Sequence, residues 1–258
     1  MKFVQRSPRF PYFVLIVMAM ATLLNAAFAQ SQNQGTTPPS GNLPSAPQDP
    51  KSTTAPSAVP EEGKQTSRIL YIFPNFRSVS VNQKLPPQSP KEKLWQTTQD
   101  SFDYSSFIFV GALAGVSQAE NSVPEFHQGA AGYGRYYWHT FVDQTDENYW
   151  VEFILPVTLH QDSRYYTMGT GGLLKRASYA VTRIVITRKD NGGETFNFSE
   201  VVGAGAAGGI SNLYYPSPER TWTKTGQRWA LNVGLDGATF LIREFWPGIN
   251  AAIFHEKQ

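Results

Sequence analysis

The chain has 258 residues, 22 Lys and Arg against 20 Asp and Glu, 14% aromatic residues and no cysteine. The missing cysteine excludes disulfides, thiol catalysis, zinc–cysteinate sites and a lipidated lipoprotein cysteine. From Arg68 onward, 17 basic residues meet 17 acidic ones; this balance argues against a nucleic-acid partner, whose affinity comes largely from a Lys/Arg excess.

Residues 1–29 have the pattern of a secretory signal peptide. Lys2, Arg6 and Arg9 precede an apolar run from Phe13 to Leu24, and Ala27-Phe28-Ala29 supplies the small-x-small cleavage pattern. The apolar run is shorter than the ~20 residues that span a bilayer, which favours cleavage over an uncleaved anchor. The expectation is export, to a periplasmic or outer-membrane-associated location.

Residues 30–66 form a Pro/Ser/Gln-rich linker. Seven of the 18 prolines fall between Pro38 and Pro60, and the stretch has no aromatic residue. Such a composition cannot bury enough apolar area to offset its ordering entropy, so a disordered tether is expected. Residues 67–258 carry 30 of the 35 aromatics and form the single expected domain.

Within that domain, Ile69 to Phe73 is a short apolar run that Pro74 stops. Ser89-Pro90-Lys91-Glu92 matches a capping box with proline in the first turn and predicts a helix to about Gln99. A second helix start falls at Asp103. Gly129–Val142 and Tyr149–His160 are expected as two antiparallel helices joined by the polar run Asp143 to Asn148. Leu173–Arg188 and Gln227–Phe245 have amphipathic spacing. Gly111 and Gly115, Ala130 and Gly134, Gly203 and Ala207, Gly205 and Gly209, and Gly234 and Ala238 each stand four apart, which suits close helix approach.

The expected fold is therefore mainly α, a compact helical bundle with Gly/Ala helix contacts. The alternative is an outer-membrane β-barrel. It draws on the β-branched run Tyr179 to Thr187, the turn Asp190-Asn191-Gly192-Gly193 before Thr195 to Phe198, and the alternation of Trp229, Leu231, Val233 and Leu235. The run Gly203 to Gly209 opposes that alternative, because it has no side chains for a lipid-facing girdle. It also lacks the Lys-Ser/Thr pair of a phosphate loop.

The expected hairpin would bring His127 and His160 to its open end, with Glu125 and Asp162 beside them. Such a group suits a divalent metal (ligands His127, His160 and Asp162) or a His–carboxylate pair for general-base catalysis. Helix capping and pairing with Arg135 or Arg164 explain the same residues without any ligand. No cofactor is expected from the sequence otherwise. Asp236, flanked by apolar residues, is expected to pair with Arg176 or Arg183, and His139 to sit in an aromatic helix face.

Ser101 to Phe107, His127 to Tyr136, Phe196 to Ser199, Ser211 to Pro216 and Glu244 to Pro247 together resemble a family of uncharacterised exported bacterial cell-envelope proteins. The resemblance covers roughly residues 70–250 and implies an envelope location without a known reaction or site residues. The resulting expectation is a non-catalytic structural or interaction role at a membrane or envelope protein partner. The alternative is an exported hydrolase using His127, His160, Glu125 and Asp162.

Overall fold

Ser89 caps the first long helix as its sequence predicts. The Ser89 hydroxyl accepts from the Glu92 N–H, and the Glu92 carboxylate accepts from the Ser89 N–H at 2.7 Å, which satisfies two otherwise orphaned donors. In the computed structural model, which describes residues 64–254, this helix (α1) is Pro90–Phe102. The expected leader, most of the tether and His255 lie outside the described residues. The body of the protein is the compact unit Val59–Gly248; the residues from Ile249 belong to a second unit and are described only as the helical end of the chain.

Asp103 ends α1 and caps α2 (Tyr104–Ala119), its carboxylate accepting from the Ser105 N–H at 3.0 Å. Arg68 donates twice to that carboxylate and, with the Ser105 contacts, brings it down to about 2. After a turn through Phe126 comes α3 (Gly129–Asn148), which continues without a break into a π-helical segment (Tyr149–Ile154) and a final α turn, α4 (Leu155–Thr158). The expected hairpin at Asp143 to Asn148 does not form. That polar run, with Glu147 buried, is part of one continuous helical path roughly 40 Å from end to end.

The remaining elements are α5 (Leu173–Thr182), α6 (Phe198–Ile210) and α7 (Trp222–Phe254). Short strands join them: β1 (Arg68–Ile69) with β2 (Phe73–Pro74), β3 (Ser78–Val79) parallel to β5 (Tyr165–Tyr166), and an antiparallel sheet in the order β4 (Gln161–Asp162), β6 (Ile186–Lys189), β7 (Glu194–Phe196). The expected helix Leu173–Arg188 is thus half right. It stops at Thr182, and the β-branched stretch after it pairs as a strand, with Asp190 to Gly193 as its hairpin turn. The described residues are mainly helical and contain no closed sheet or barrel, so the barrel alternative fails.

Two glycines show why this sequence tolerates glycine in helices. A Cβ on Gly203 would stand 3.0 Å from Val151 and 3.3 Å from the Trp150 backbone, so α6 lies against the π-helical segment at backbone distance. A Cβ on Gly208 would lie 3.4 Å from the Thr225 carbonyl oxygen, setting the approach of α6 to α7. Phe126, Tyr136, Tyr215, Ala114 and Val123 make a small apolar core at one end. Among the described residues, no helix is long and apolar enough to cross a membrane.

Candidate functional site

The helices converge on charge rather than on hydrocarbon. Arg77, just before β3, donates through Nε to Asp100 of α1 at 2.8 Å, through Nη1 to the Ser163 carbonyl at 3.0 Å, and through Nη2 to Glu152 of the π-helical segment. Glu147 of α3, Glu200 in the first turn of α6, and Asp236 and Arg243 of α7 complete the group. Glu147, Glu152, Glu200 and Arg243 are buried, and Asp236 is half-buried. Five carboxyls thus meet two guanidiniums in a place where water cannot screen them.

These residues, Asp100 excepted, line a cavity of about 70 Å³, room for more than one water molecule. The π-helical segment is what aims them. Glu147 and Glu152 are five positions apart, which in a regular α-helix would set them on different faces. The wider turn, closed by i→i+5 hydrogen bonds, lets both reach the same cavity.

Burial followed by mutual repulsion decides the protonation of this group. Burial, then Asp236, Asp143 and Glu152, push the Glu147 carboxyl up to about 10. Burial raises Glu152 to about 8, with the neighbouring Arg77 holding it below that of Glu147. Glu200 is pushed far upward by burial and by Asp236, with which it shares a hydrogen bond, and Asp236 is itself raised by burial. Arg243 is drawn down by burial and by Arg77. At neutral pH, in the absence of a bound cation, Glu147 and most of Glu152 keep their protons.

Hydrogen bonding leaves the group incomplete. Among the described residues, Glu147 Oε1, Glu152 Oε2, Glu200 Oε1, Asp100 Oδ1 and Arg243 Nε are buried without any hydrogen-bond partner. Buried polar atoms are nearly always satisfied, and three of these carboxyl oxygens belong to residues lining one cavity. Such clustering marks a place for an occupant.

Another part of the lining is basic and aromatic. Arg164 is held by Asp162 at 2.7 Å, and Tyr166 donates to the same carboxylate at 2.7 Å. Arg188 lies 4.1 Å over the Tyr166 ring. Arg183 lies 4.6 Å over Tyr179 and pairs with the exposed Glu194.

The structure does not bring the four sequence candidates together. Glu125 and His127 precede the long helical path and are exposed, whereas His160 follows it and is exposed at the far end. Asp162 is the one that reaches the cavity, and its carboxylate is already engaged by Arg164 and Tyr166. His139 packs against Phe126, Trp138 and Tyr215, as an aromatic face requires. Asp236 finds neither expected partner: Arg176 pairs with the fully buried Glu244, and Arg183 with Glu194. Among the described residues, no group of three or more His, Asp or Glu is arranged to hold a metal ion.

Sequence reasoning passed over Arg77, Glu147, Glu152, Glu200 and Arg243. One signal was present, since Glu152 interrupts the aromatic and aliphatic run Tyr149 to Leu155. A carboxylate placed there is either an error of patterning or a functional group. Comparison with protein-family models, curated proteins and solved structures gives no match.

Proposed function

We propose that this is an exported cell-envelope protein whose helices form a compact bundle, through small-residue contacts, around a binding site for a small primary amine. The observation carrying this reading is the trio of unpartnered buried oxygens, Glu147 Oε1, Glu152 Oε2 and Glu200 Oε1, at one cavity. An ammonium group has three N–H donors and no acceptor, so it can answer all three oxygens in place of the protons the carboxyls hold. Binding then drives protons off the carboxyls, because the cation takes over the role those protons had. The role is one of binding rather than turnover.

Support for the envelope setting comes from the leader pattern of residues 1–29, the Pro-rich tether and the resemblance to exported envelope proteins. A membrane or envelope protein partner fits the apolar side chains left outside, such as Trp95 on α1, Leu174 on α5 and Trp222, which is 92% exposed, on α7. A hydrolase at the same cavity is the second reading. Glu152 titrating at about 8 and two carboxyls sharing a hydrogen bond are the equipment of general acid–base chemistry.

The test is a thermal-shift series of the purified protein with methylammonium, ethylammonium and propylammonium, with tetramethylammonium as a control that cannot donate hydrogen bonds. Stabilisation by the primary amines alone is expected, and its loss in Glu147→Gln with Glu152→Gln places it at the cavity. Equal effects from all four cations, or none, would remove the reading. Turnover of ester or glycoside probes that disappears with Glu152→Gln would favour the hydrolase.

A further inference from the structure

The cavity lining contains an acidic set and a separate basic set. The cations acting on the buried carboxyls are Arg77 and Arg243, whereas those acting on Tyr166 and Tyr179 are Arg164, Arg183 and Arg188. The acids stand on helices, whereas the second basic set stands between β4 and β5 (Arg164), just after α5 (Arg183) and on β6 (Arg188).

Two of the arginines are already answered: Arg77 is bonded to Asp100 and Glu152, and Arg164 is bonded to Asp162. Arg243 belongs to the acidic group, with Asp100, Glu152 and Asp236 as charged neighbours and its Nε buried without a partner. Arg188 is different. Its guanidinium stacks on Tyr166, and among the described residues it has no carboxylate partner. Arg183 is half answered, because Nη1 meets a Glu194 side chain that is 60% exposed, while Nε is buried with no partner at all. Guanidiniums prefer planar bidentate acceptors such as carboxylate or phosphate. Here two of them line the cavity whose acidic set needs hydrogen-bond donors.

We infer that the ligand of this cavity is a small zwitterion, its ammonium on Glu147, Glu152 and Glu200 and its carboxylate or phosphate on Arg183 and Arg188. The inference rests on the amine-binding reading above and adds the second charge, and with it a length. A ligand of a few carbons between its two charged groups fits a cavity of about 70 Å³; a long polyamine, with no anionic end, does not answer the basic set.

Calorimetry of the full chain at about pH 8, where Glu152 titrates, tests this with matched pairs. Each ω-amino acid from two to six carbons is compared with the alkylamine of equal length, and ω-aminoalkyl phosphates separate phosphate from carboxylate as the anionic group. At one length the zwitterion should bind about tenfold or more tightly than its amine partner, the value of one charge-assisted contact. Arg188→Gln should return that ratio to about one without weakening the binding of the alkylamine. Equal affinities at every length, or a ratio untouched by Arg188→Gln, would overturn the zwitterion while leaving amine binding in place. No binding of any alkylamine or zwitterion would overturn both. The comparison between ligands needs only the wild-type chain, so a variant that fails to fold does not rescue the proposal.

Discussion

Glu200 and Asp236, on two different helices and 36 positions apart in the chain, share a hydrogen bond inside the protein, so at least one of them holds a proton. Two ionised carboxylates could not stay in such contact away from water. The pair is the centre of a larger arrangement in which Glu147 and Glu152 also retain protons. At neutral pH the interior therefore holds protonated carboxyls beside its guanidiniums rather than a fully ionised lattice.

Stability should fall as pH rises. Glu152 and Glu147 have folded-state values of about 8 and about 10, above the ordinary 4.5 of an unfolded glutamate. Between those limits the folded state binds more protons than the unfolded one, so the slope of unfolding free energy with pH is negative. Denaturant melts at about pH 6 and about pH 9 should show the lower midpoint at the higher pH. Asp103, brought down to about 2 from 3.8, acts in the opposite sense, and its contribution is lost as the solution is acidified through that window. A midpoint that climbs from pH 6 to pH 9 would contradict the assignment of the buried protons.

Glu200→Gln replaces a carboxyl that burial and Asp236 push towards its protonated form by an amide of the same shape. The hydrogen bond to Asp236 survives, while the cost of ionisation disappears. The variant should match the wild type at acid pH and exceed it in thermal midpoint at about pH 9, with a flatter pH profile between. Arg77→Met is the counterpart, because it leaves Asp100 and Glu152 without their cation. A loss of about 3–5 kcal/mol is expected on breaking a buried pair from one side, read by chemical denaturation.

Gly203 and Gly209 should respond in opposite directions to the same substitution. Gly203→Ala puts a methyl 3.0 Å from Val151 and 3.3 Å from backbone, and overpacking of this kind costs about 1–3 kcal/mol. Gly209→Ala, in the same helix but with nothing within 4 Å, should stabilise by up to about 1 kcal/mol through helix propensity. Equal effects at the two positions would mean that α6 does not meet the π-helical segment at backbone distance.

Local chemistry made much of the framework legible in the sequence. The Ser89–Glu92 box, the Asp103 cap and the Asp190 to Gly193 turn each consist of a few adjacent residues whose hydrogen bonds are made among themselves. The site was hidden for the opposite reason. Asp143 to Asn148 has the composition of a surface loop, and only the approach of α6, α7 and the segment around Arg77 carries Glu147 of that polar run into the interior. Asp236 was conspicuous as a lone charge among apolar residues, but its partner Glu200 lies too far along the chain for any periodicity to suggest. His127 and His160 seemed close only because the same polar run was taken for a turn; once it is helical, they mark the two ends of one long path.

The most direct test of the account is the number of protons released when a primary amine binds. Titrating propylammonium into the protein at about pH 7 in two buffers of different ionisation heat measures that number. At this pH Glu147 and most of Glu152 still hold their protons. The account predicts binding with net proton release, apparent affinity that strengthens as pH rises towards about 8, the value of Glu152, and loss of both effects in Glu147→Gln with Glu152→Gln. Binding without proton exchange, or no binding, would contradict it.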